Sequence, residues 1–331
     1  MRMIHKDVLS VVENVRIRQM RGGSVVTHAA LTALRTISLA STAASPEEFV
    51  AYVEENAKYL RRIRVASIPL TNGLRHVVSE VQQAAHRGAN IEELKRIVSD
   101  SAIGFDRRLE KSIQQIAEIG ARRLKSGDVI VTHSYSSSVL AILKKAHQQG
   151  KRLKVVVTET RPELEGRDVA RELASEGIDT TLIIDSAVSH FIEDSDKVMV
   201  GAEAVAANGA IVNKIGTATI AAVAQRARVR VFVAASTYKF SPETMFGELI
   251  EIEERASSYV LEESETKQPN LKVRNPAFDV TSPQDIDLII TERGVIPPQA
   301  AIMIVRDQKG PLIFTPREPG LEEFLRKAES A

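Results

Sequence analysis

Apolar residues recur every three or four positions through the first part of the chain, and past residue 125 they gather into short continuous runs. The first spacing predicts amphipathic helices over 5–20, 25–39, 46–62, 71–87, 90–98 and 100–125, because residues three and four apart share one helix face. In the last of these, Ile113, Ile116, Ala117, Ile119, Gly120 and Leu124 mark the apolar stripe. Ser45-Pro46-Glu47-Glu48 reads as a helix start, with Ser45 as N-cap and Pro46 in the first helical position. The texture changes at Ser126-Gly127-Asp128. Six β-branched runs follow, at 129–132, 153–158, 180–185, 197–200, 229–233 and 286–290, with helical stretches between them, including Val139–His147. Strands that are apolar throughout and separated by helices predict a parallel sheet covered on both faces. The expected architecture is therefore α/β: an N-terminal helical domain over 1–125 and a doubly wound, Rossmann-like, mostly parallel sheet over 126–331. Ligands of such sheets bind at the carboxyl ends of the strands. The polar stretch Glu262 to Asn275 reads as an exposed excursion, and Leu321 to Ala328 as a short terminal helix.

Composition narrows the function classes. The chain has 331 residues, 44% apolar and 26% charged, the make-up of an ordinary globular protein. Lys and Arg number 44 against 43 Asp and Glu, so a net charge of +1 supplies no bulk attraction to nucleic acid or acidic membranes. The basic groups Arg61, Arg62, Arg64 and Arg122, Arg123, Lys125 read as solvated helix faces. The absence of cysteine excludes disulfides, thiolate metal sites and thiol catalysis. The opening Met1-Arg-Met-Ile-His-Lys-Asp7 has no apolar core of signal-peptide length, and a cytoplasmic setting is expected. There is no zinc, P-loop or serine-hydrolase signature, and the seven histidines lack metal-ligand spacing, so neither metal nor cofactor is expected. For His133 a core or backbone-positioning role is favoured over catalysis.

Several groups suit an anion. Ser134, Ser136, Ser137 and Ser138 follow a strand and precede a helix, where hydroxyls and free N–H groups either cradle phosphate or simply cap the helix. Asn208-Gly209 is a turn signal. Asn213-Lys214 is expected to open the helix that runs to about Arg226, and a lysine there opposes the helix dipole unless an anion compensates it. Arg21-Gly22-Gly23-Ser24 stands between two expected helices, either as a phosphate grip or as a glycine hinge.

Two runs carry a resemblance. Val131-Thr-His-Ser-Tyr-Ser-Ser137 and Gly201-Ala-Glu-Ala-Val-Ala-Ala-Asn-Gly-Ala-Ile-Val-Asn-Lys-Ile-Gly-Thr217 resemble the alpha, beta and delta subunits of translation initiation factor 2B. They are similar also to ribose-1,5-bisphosphate isomerase and methylthioribose-1-phosphate isomerase, enzymes of the same superfamily. The likeness extends over nearly the whole chain. Thr237-Tyr-Lys-Phe-Ser-Pro-Glu-Thr244, Asn275-Pro-Ala-Phe-Asp-Val-Thr281 and Ile289-Ile-Thr-Glu-Arg-Gly-Val-Ile-Pro-Pro298 are close to the archaeal ribose-bisphosphate isomerase branch. Arg21-Gly22-Gly23, Arg64 in Arg64-Val-Ala-Ser-Ile-Pro, and Arg161 in Thr158-Glu-Thr-Arg-Pro162 resemble site segments of the family. The resemblance implies ligand contacts for these and for Ser24, Ser136, Ser137, Glu165, Asn213, Lys214 and Lys239. It puts Ser134 and Glu203 where the enzymes keep a catalytic cysteine and aspartate.

Those replacements matter chemically. A thiol, with an unperturbed pKa of roughly 8.5, can be tuned into a working proton-transfer group, whereas a serine hydroxyl needs an adjacent base. Glu203 lengthens the carboxylate arm by roughly 1.5 Å, and a misplacement of about 1 Å can cost roughly a hundredfold in rate. Glu165 stands where the isomerases carry a substrate-contacting glutamine, so an anion there is expected to repel a bisphosphate. The leading expectation is thus an alpha-type regulatory subunit that binds a sugar phosphate or nucleotide, AMP-like effectors included, without turnover. The alternative is a ribose-1,5-bisphosphate isomerase using Ser134 and Glu203 in altered roles. The resemblance implies a site at the junction of the two domains, a homodimer with scope for a hexamer, and initiation factor 2 as a candidate partner.

Overall fold

The short apolar runs after residue 126 become the strands of one large sheet in the computed structural model, which describes Ser10 and residues 22–62, 67–247, 249–262 and 270–307. Arg21, Arg64, all of the 5–20 segment but Ser10, and the stretch Leu321 to Ala328 lie outside the described residues. The chain divides into two compact units, with the line between Lys111 and Ser112.

The first unit is helical among its described residues. Helix α1 (Gly23–Leu39), α2 (Pro46–Arg61), α3 (Ile68–His86) and the start of α4 (Ile91–Ala121) bury Val26, Leu31, Leu34, Phe49, Leu60, Leu74, Val77, Leu94 and Phe105. These residues fall at helical spacing, so each helix hides one stripe and hydrates the rest. Ser45 caps α2 as expected, accepting from Glu48 N at 3.2 Å, with Pro46 in the first turn. The helices expected over 90–98 and 100–125 are instead one continuous helix. Ser99 does not break it, because its hydroxyl is taken up by Arg35 Nε at 2.9 Å rather than competing for the backbone.

The second unit holds the sheet. Its strands are β1 (Val129–His133), β2 (Lys154–Thr158), β3 (Asp179–Ile183), β4 (Lys197–Gly201), β7 (Arg230–Ala234), β9 (Leu288–Thr291) and β10 (Gly294–Ile296), ordered β10-β9-β7-β4-β1-β2-β3. All pairings are parallel except that of β10 with β9. Alternate residues feed two cores. Val131, Val156, Val198, Val200, Val231 and Val233 pack with α7 (Val188–Ile192), α8 (Thr217–Ala227) and α9 (Ala301–Asp307). Ile130, Val155, Val157, Met199 and Phe232 pack on the other face with the end of α4, α5 (Ser137–Gln148) and α6 (Glu165–Ser175). Both faces are therefore covered, and the strands have to be apolar throughout.

From β1 the chain builds outward to β2 and β3, and from β4 outward to β7 and β9, so the strand order reverses between β1 and β4. That reversal opens a crevice at the carboxyl ends of the two strands. Beside the main sheet lies a small antiparallel one, β5 (Ala204–Val205), β6 (Ile211–Lys214) and β8 (Phe278–Thr281), in the order β5-β6-β8. Here the expected start of α8 is corrected. Asn213 and Lys214 end strand β6, paired with Asp279 and Phe278, and the helix begins at Thr217. Among the described residues no helix is long and apolar enough to cross a membrane.

Candidate functional site

Ser134 leaves β1 in the left-handed region, at φ 63°, and is buried. Thr160 and Leu164 share that conformation, so three of the four left-handed non-glycine residues among those described belong to two neighbouring strand ends. Such backbone persists only where its surroundings over-determine it. Here the determinants are visible. Asp185, just past β3, accepts from the N–H groups of Thr160 and Arg161 at 2.7 and 2.6 Å and holds the loop after β2. Thr160 Oγ1 in turn accepts from Ser134 N at 2.9 Å.

The same loop delivers two glutamates. Ser134 Oγ donates to Glu165 Oε2 at 2.6 Å, and Lys214 Nζ lies 3.5 Å from Glu165 Oε1. Lys214 donates more closely to Glu163 Oε2, and Arg255 Nε stands 3.9 Å from the other oxygen of Glu163. Ser134, Glu165 and Lys214 are all nearly inaccessible to solvent. Glu165 reaches this position because Gly166 lets α6 start hard against β2: a Cβ there would sit 1.8 Å from the carbonyl oxygen of Thr158.

His133 points to the opposite face of β1. Its Nε2 contacts the carbonyl of Ile215 at 2.8 Å and its Nδ1 the hydroxyl of Thr158 at 2.6 Å. A carbonyl only accepts, so Nε2 carries the proton and Thr158 donates to Nδ1. Burial holds this imidazole below the usual histidine range, against the smaller opposing effect of the bond to Ile215. With both nitrogens engaged, the ring fastens the small sheet to the large one, the positioning role favoured from the sequence.

Glu203 follows β4, buried, with its N–H donating to Val212 O at 2.8 Å. Lys239 Nζ donates to the carbonyl of the preceding Ala202 at 2.6 Å, so it braces the Glu203 turn. Asn208-Gly209 is the tip of the β5–β6 hairpin, with Ala206 and Ala210 bonded across it. Ser136 is the N-cap of α5, accepting from Val139 N at 3.4 Å, and Ser137 is the first helical residue. Asn213 donates to Thr217 Oγ1 at 3.0 Å. Arg161 is exposed, and Gly22, with φ 82°, is the N-cap of α1, followed by Gly23 and Ser24 in its first turn.

Asp279, on β8 opposite Asn213, accepts from Gly216 N at 2.7 Å and Ala218 N at 3.1 Å and so starts α8. Its other oxygen is buried without a partner, and burial raises its pKa to about 6 despite those bonds. Among the described residues no cluster of acidic and histidine side chains could hold a metal ion.

The structure thus brings Ser134, Glu165 and Lys214 into one contact group at the crevice. Sequence reasoning missed Glu163, Arg255 and Thr160, which complete it. Glu163 was visible only as one of two glutamates in Arg161-Pro-Glu-Leu-Glu-Gly166, a run that shows neither which one faces the serine nor that Arg255 returns to it.

The chain matches known proteins over most of its length. Residues 19–298 fit the model of the initiation factor 2 subunit family. The chain is 44% identical over 319 residues to ribose 1,5-bisphosphate isomerase of Pyrococcus furiosus, covering 96% of this chain and 98% of that one. It is 43% identical over 307 residues to the enzyme of the same name from Thermococcus kodakarensis, covering 92% and 95%. Among solved structures, translation initiation factor eIF-2B of Pyrococcus horikoshii OT3 superposes with a TM-score of 0.77 at 29% identity, covering 89% of this chain and 98% of that one. These relatives correct the leading expectation of a regulatory subunit without turnover, because the near-full-length matches at this identity bear the name of an isomerase. The chain belongs to the initiation factor 2 subunit family.

Proposed function

We propose that this chain is a ribose-1,5-bisphosphate isomerase, converting the cyclic aldose bisphosphate to ribulose 1,5-bisphosphate. The observation that carries the reading is the near-full-length likeness to two enzymes of that name. The chemistry of the crevice supports it. A C1 phosphate locks the sugar as a cyclic acetal, so the ring must be opened on the protein. One group has to give a proton to the ring oxygen and another has to take one from the C2 hydroxyl while hydrogen moves from C2 to C1. Ser134 and Glu203, at the carboxyl ends of the adjacent strands β1 and β4, are the pair we assign to this work.

The objection raised by position 165 loses its force. Glu165 directs one oxygen to Ser134 and the other towards Lys214, so both its oxygens are engaged inside the protein. For the phosphates we assign Arg21, Gly22, Gly23, Ser24, Arg64 and Arg161. An AMP-like effector, a homodimer that assembles further and a cytoplasmic setting go with the reading. The test is to mix the purified protein with ribose 1,5-bisphosphate, with and without AMP, and follow ribulose 1,5-bisphosphate. Sustained formation of product is the expected result. Binding of the substrate without product would overturn the assignment.

A further inference from the structure

We infer that Glu165 is the proton sink behind Ser134, so that a hydroxyl backed by a carboxylate does the work of a self-ionising group; the inference rests on the isomerase reading above. Its basis is the direction of one hydrogen bond. Ser134 Oγ gives its only hydrogen to Glu165 Oε2 at 2.6 Å, which turns the oxygen's lone pairs away from Glu165 and leaves them to accept. A hydroxyl so arranged is a base relay: it takes a proton as it passes its own on.

The surroundings fit that use. Both residues are buried, which removes competing water. The left-handed backbone of Ser134 is fixed through Thr160, and Glu165 is seated by Gly166, so the pair is held from both sides. The charged neighbours of Glu165 are Lys214 from β6, Glu163 and Arg255 beyond that lysine, and His133 on the far side of β1. Lys214 is bonded to Glu163 and stands further off, at 3.5 Å, from Glu165. The closest partner of Glu165 is therefore the serine, and its carboxylate can gain a proton without breaking the Lys214–Glu163 pair.

The step balances as follows. The proton of the substrate's C2 hydroxyl passes to Ser134 Oγ while the serine proton passes to Glu165. The O–H electron pair forms the C2 carbonyl, and hydrogen leaves C2 with its electron pair for C1. The bond from C1 to the ring oxygen breaks, its pair staying on oxygen, which takes a proton from Glu203. Glu165 ends protonated and Glu203 ionised, and exchange with solvent after product release restores both.

A thiol at position 134 ionises by itself and has no need of a carboxylate behind it. The experiment is accordingly a cycle of four proteins: wild type, Glu165→Gln, Ser134→Cys and the double variant, each followed by turnover against pH and by thermal melting. We expect Glu165→Gln to lower kcat by about a hundredfold or more at little changed KM. In the Ser134→Cys background the same change should cost less than about tenfold in kcat. Glu165→Asp keeps the charge beside Lys214, and so the fold, but withdraws the carboxylate from Ser134. It should lose kcat in the serine background and be rescued by cysteine. Equal losses in both backgrounds would make Glu165 a structural residue and overturn the relay. A wild type that turns over while Glu165→Gln matches it would do the same and leave the isomerase reading standing. A wild type that binds the sugar without turnover would remove both.

Discussion

At the amino ends of the main strands, aspartates, of which Asp128 is buried and Asp196 and Asp287 are exposed, accept from backbone N–H groups or a lysine that no second acid shares. Asp128 takes Lys197 Nζ and Lys125 N, both at 2.7 Å, Asp196 takes Val129 N at 2.8 Å, and Asp287 takes Val231 N at 2.7 Å. Each fixes where a strand begins. At the carboxyl ends the matching is uneven. One lysine, Lys214, serves two glutamates, and the one it serves less closely holds a hydroxyl instead. A charge with a partner of its own is a staple. A carboxylate that shares a cation and receives a neutral donor can change its protonation without dismantling its surroundings, so buried charge alone is a poor guide to function and the matching is a better one.

The comparison can be broken most forcefully at the two lysines. Lys214→Met and Lys197→Met each strip a buried carboxylate of its cation and should each cost about 3–5 kcal/mol in denaturant unfolding. They should part company in turnover: Lys197→Met keeps the wild-type pH profile, whereas Lys214→Met changes it. Identical profiles for the two would mean that the carboxyl end is stapled just as the amino end is. Next in size is Gly166→Ala. A Cβ 1.8 Å from Thr158 O forces α6 to retreat, costing about 1–3 kcal/mol of stability, and a retreat of about 1 Å should cost kcat roughly a hundredfold. An alanine variant with unchanged kcat would show that the seating of Glu165 is not critical.

The smallest effect concerns Asp279, which starts a helix as the amino-end aspartates start strands. Its folded carboxyl keeps a proton up to about pH 6, while in the unfolded chain it releases it near 3.8. Between these values the folded state binds more protons, so this residue's contribution is full below the lower value and is lost as pH rises through the upper one. Asp279→Asn should therefore flatten the fall in stability between about pH 4 and 6, read from melts across that window. A slope that survives the substitution belongs to another group.

Much of this molecule could be read in advance, and the failures share a cause. The strand runs at 129–132 and 197–200 were plain because a strand covered on both faces has to be apolar throughout, which is a local property. That Ser134 and Glu203 each follow a strand could be read from that pattern, whereas the adjacency of the two strands is a matter of sheet topology. Asn213-Lys214 misled because these two residues are held in the strand by pairing with Asp279 and Phe278, more than sixty positions on, which no local period encodes. Glu165 misled in the same way. Its type and position suggested repulsion of a ligand, and only the approach of α6 to β2 shows that it faces the serine instead. Ser136 was the reverse case, where the plain capping role is the one that its hydroxyl fills.

Strand β3 forms one border of the main sheet and has the most water-exposed face of its parallel strands. Yet Asp185, two residues past it, is what secures Thr160 and through it Ser134. The orientation of a buried hydroxyl in the crevice is thus delegated to the least sheltered part of the scaffold. Any loosening that begins at that border is transmitted inward along two hydrogen bonds, and alignment at Ser134 can fail while the rest of the sheet is still intact.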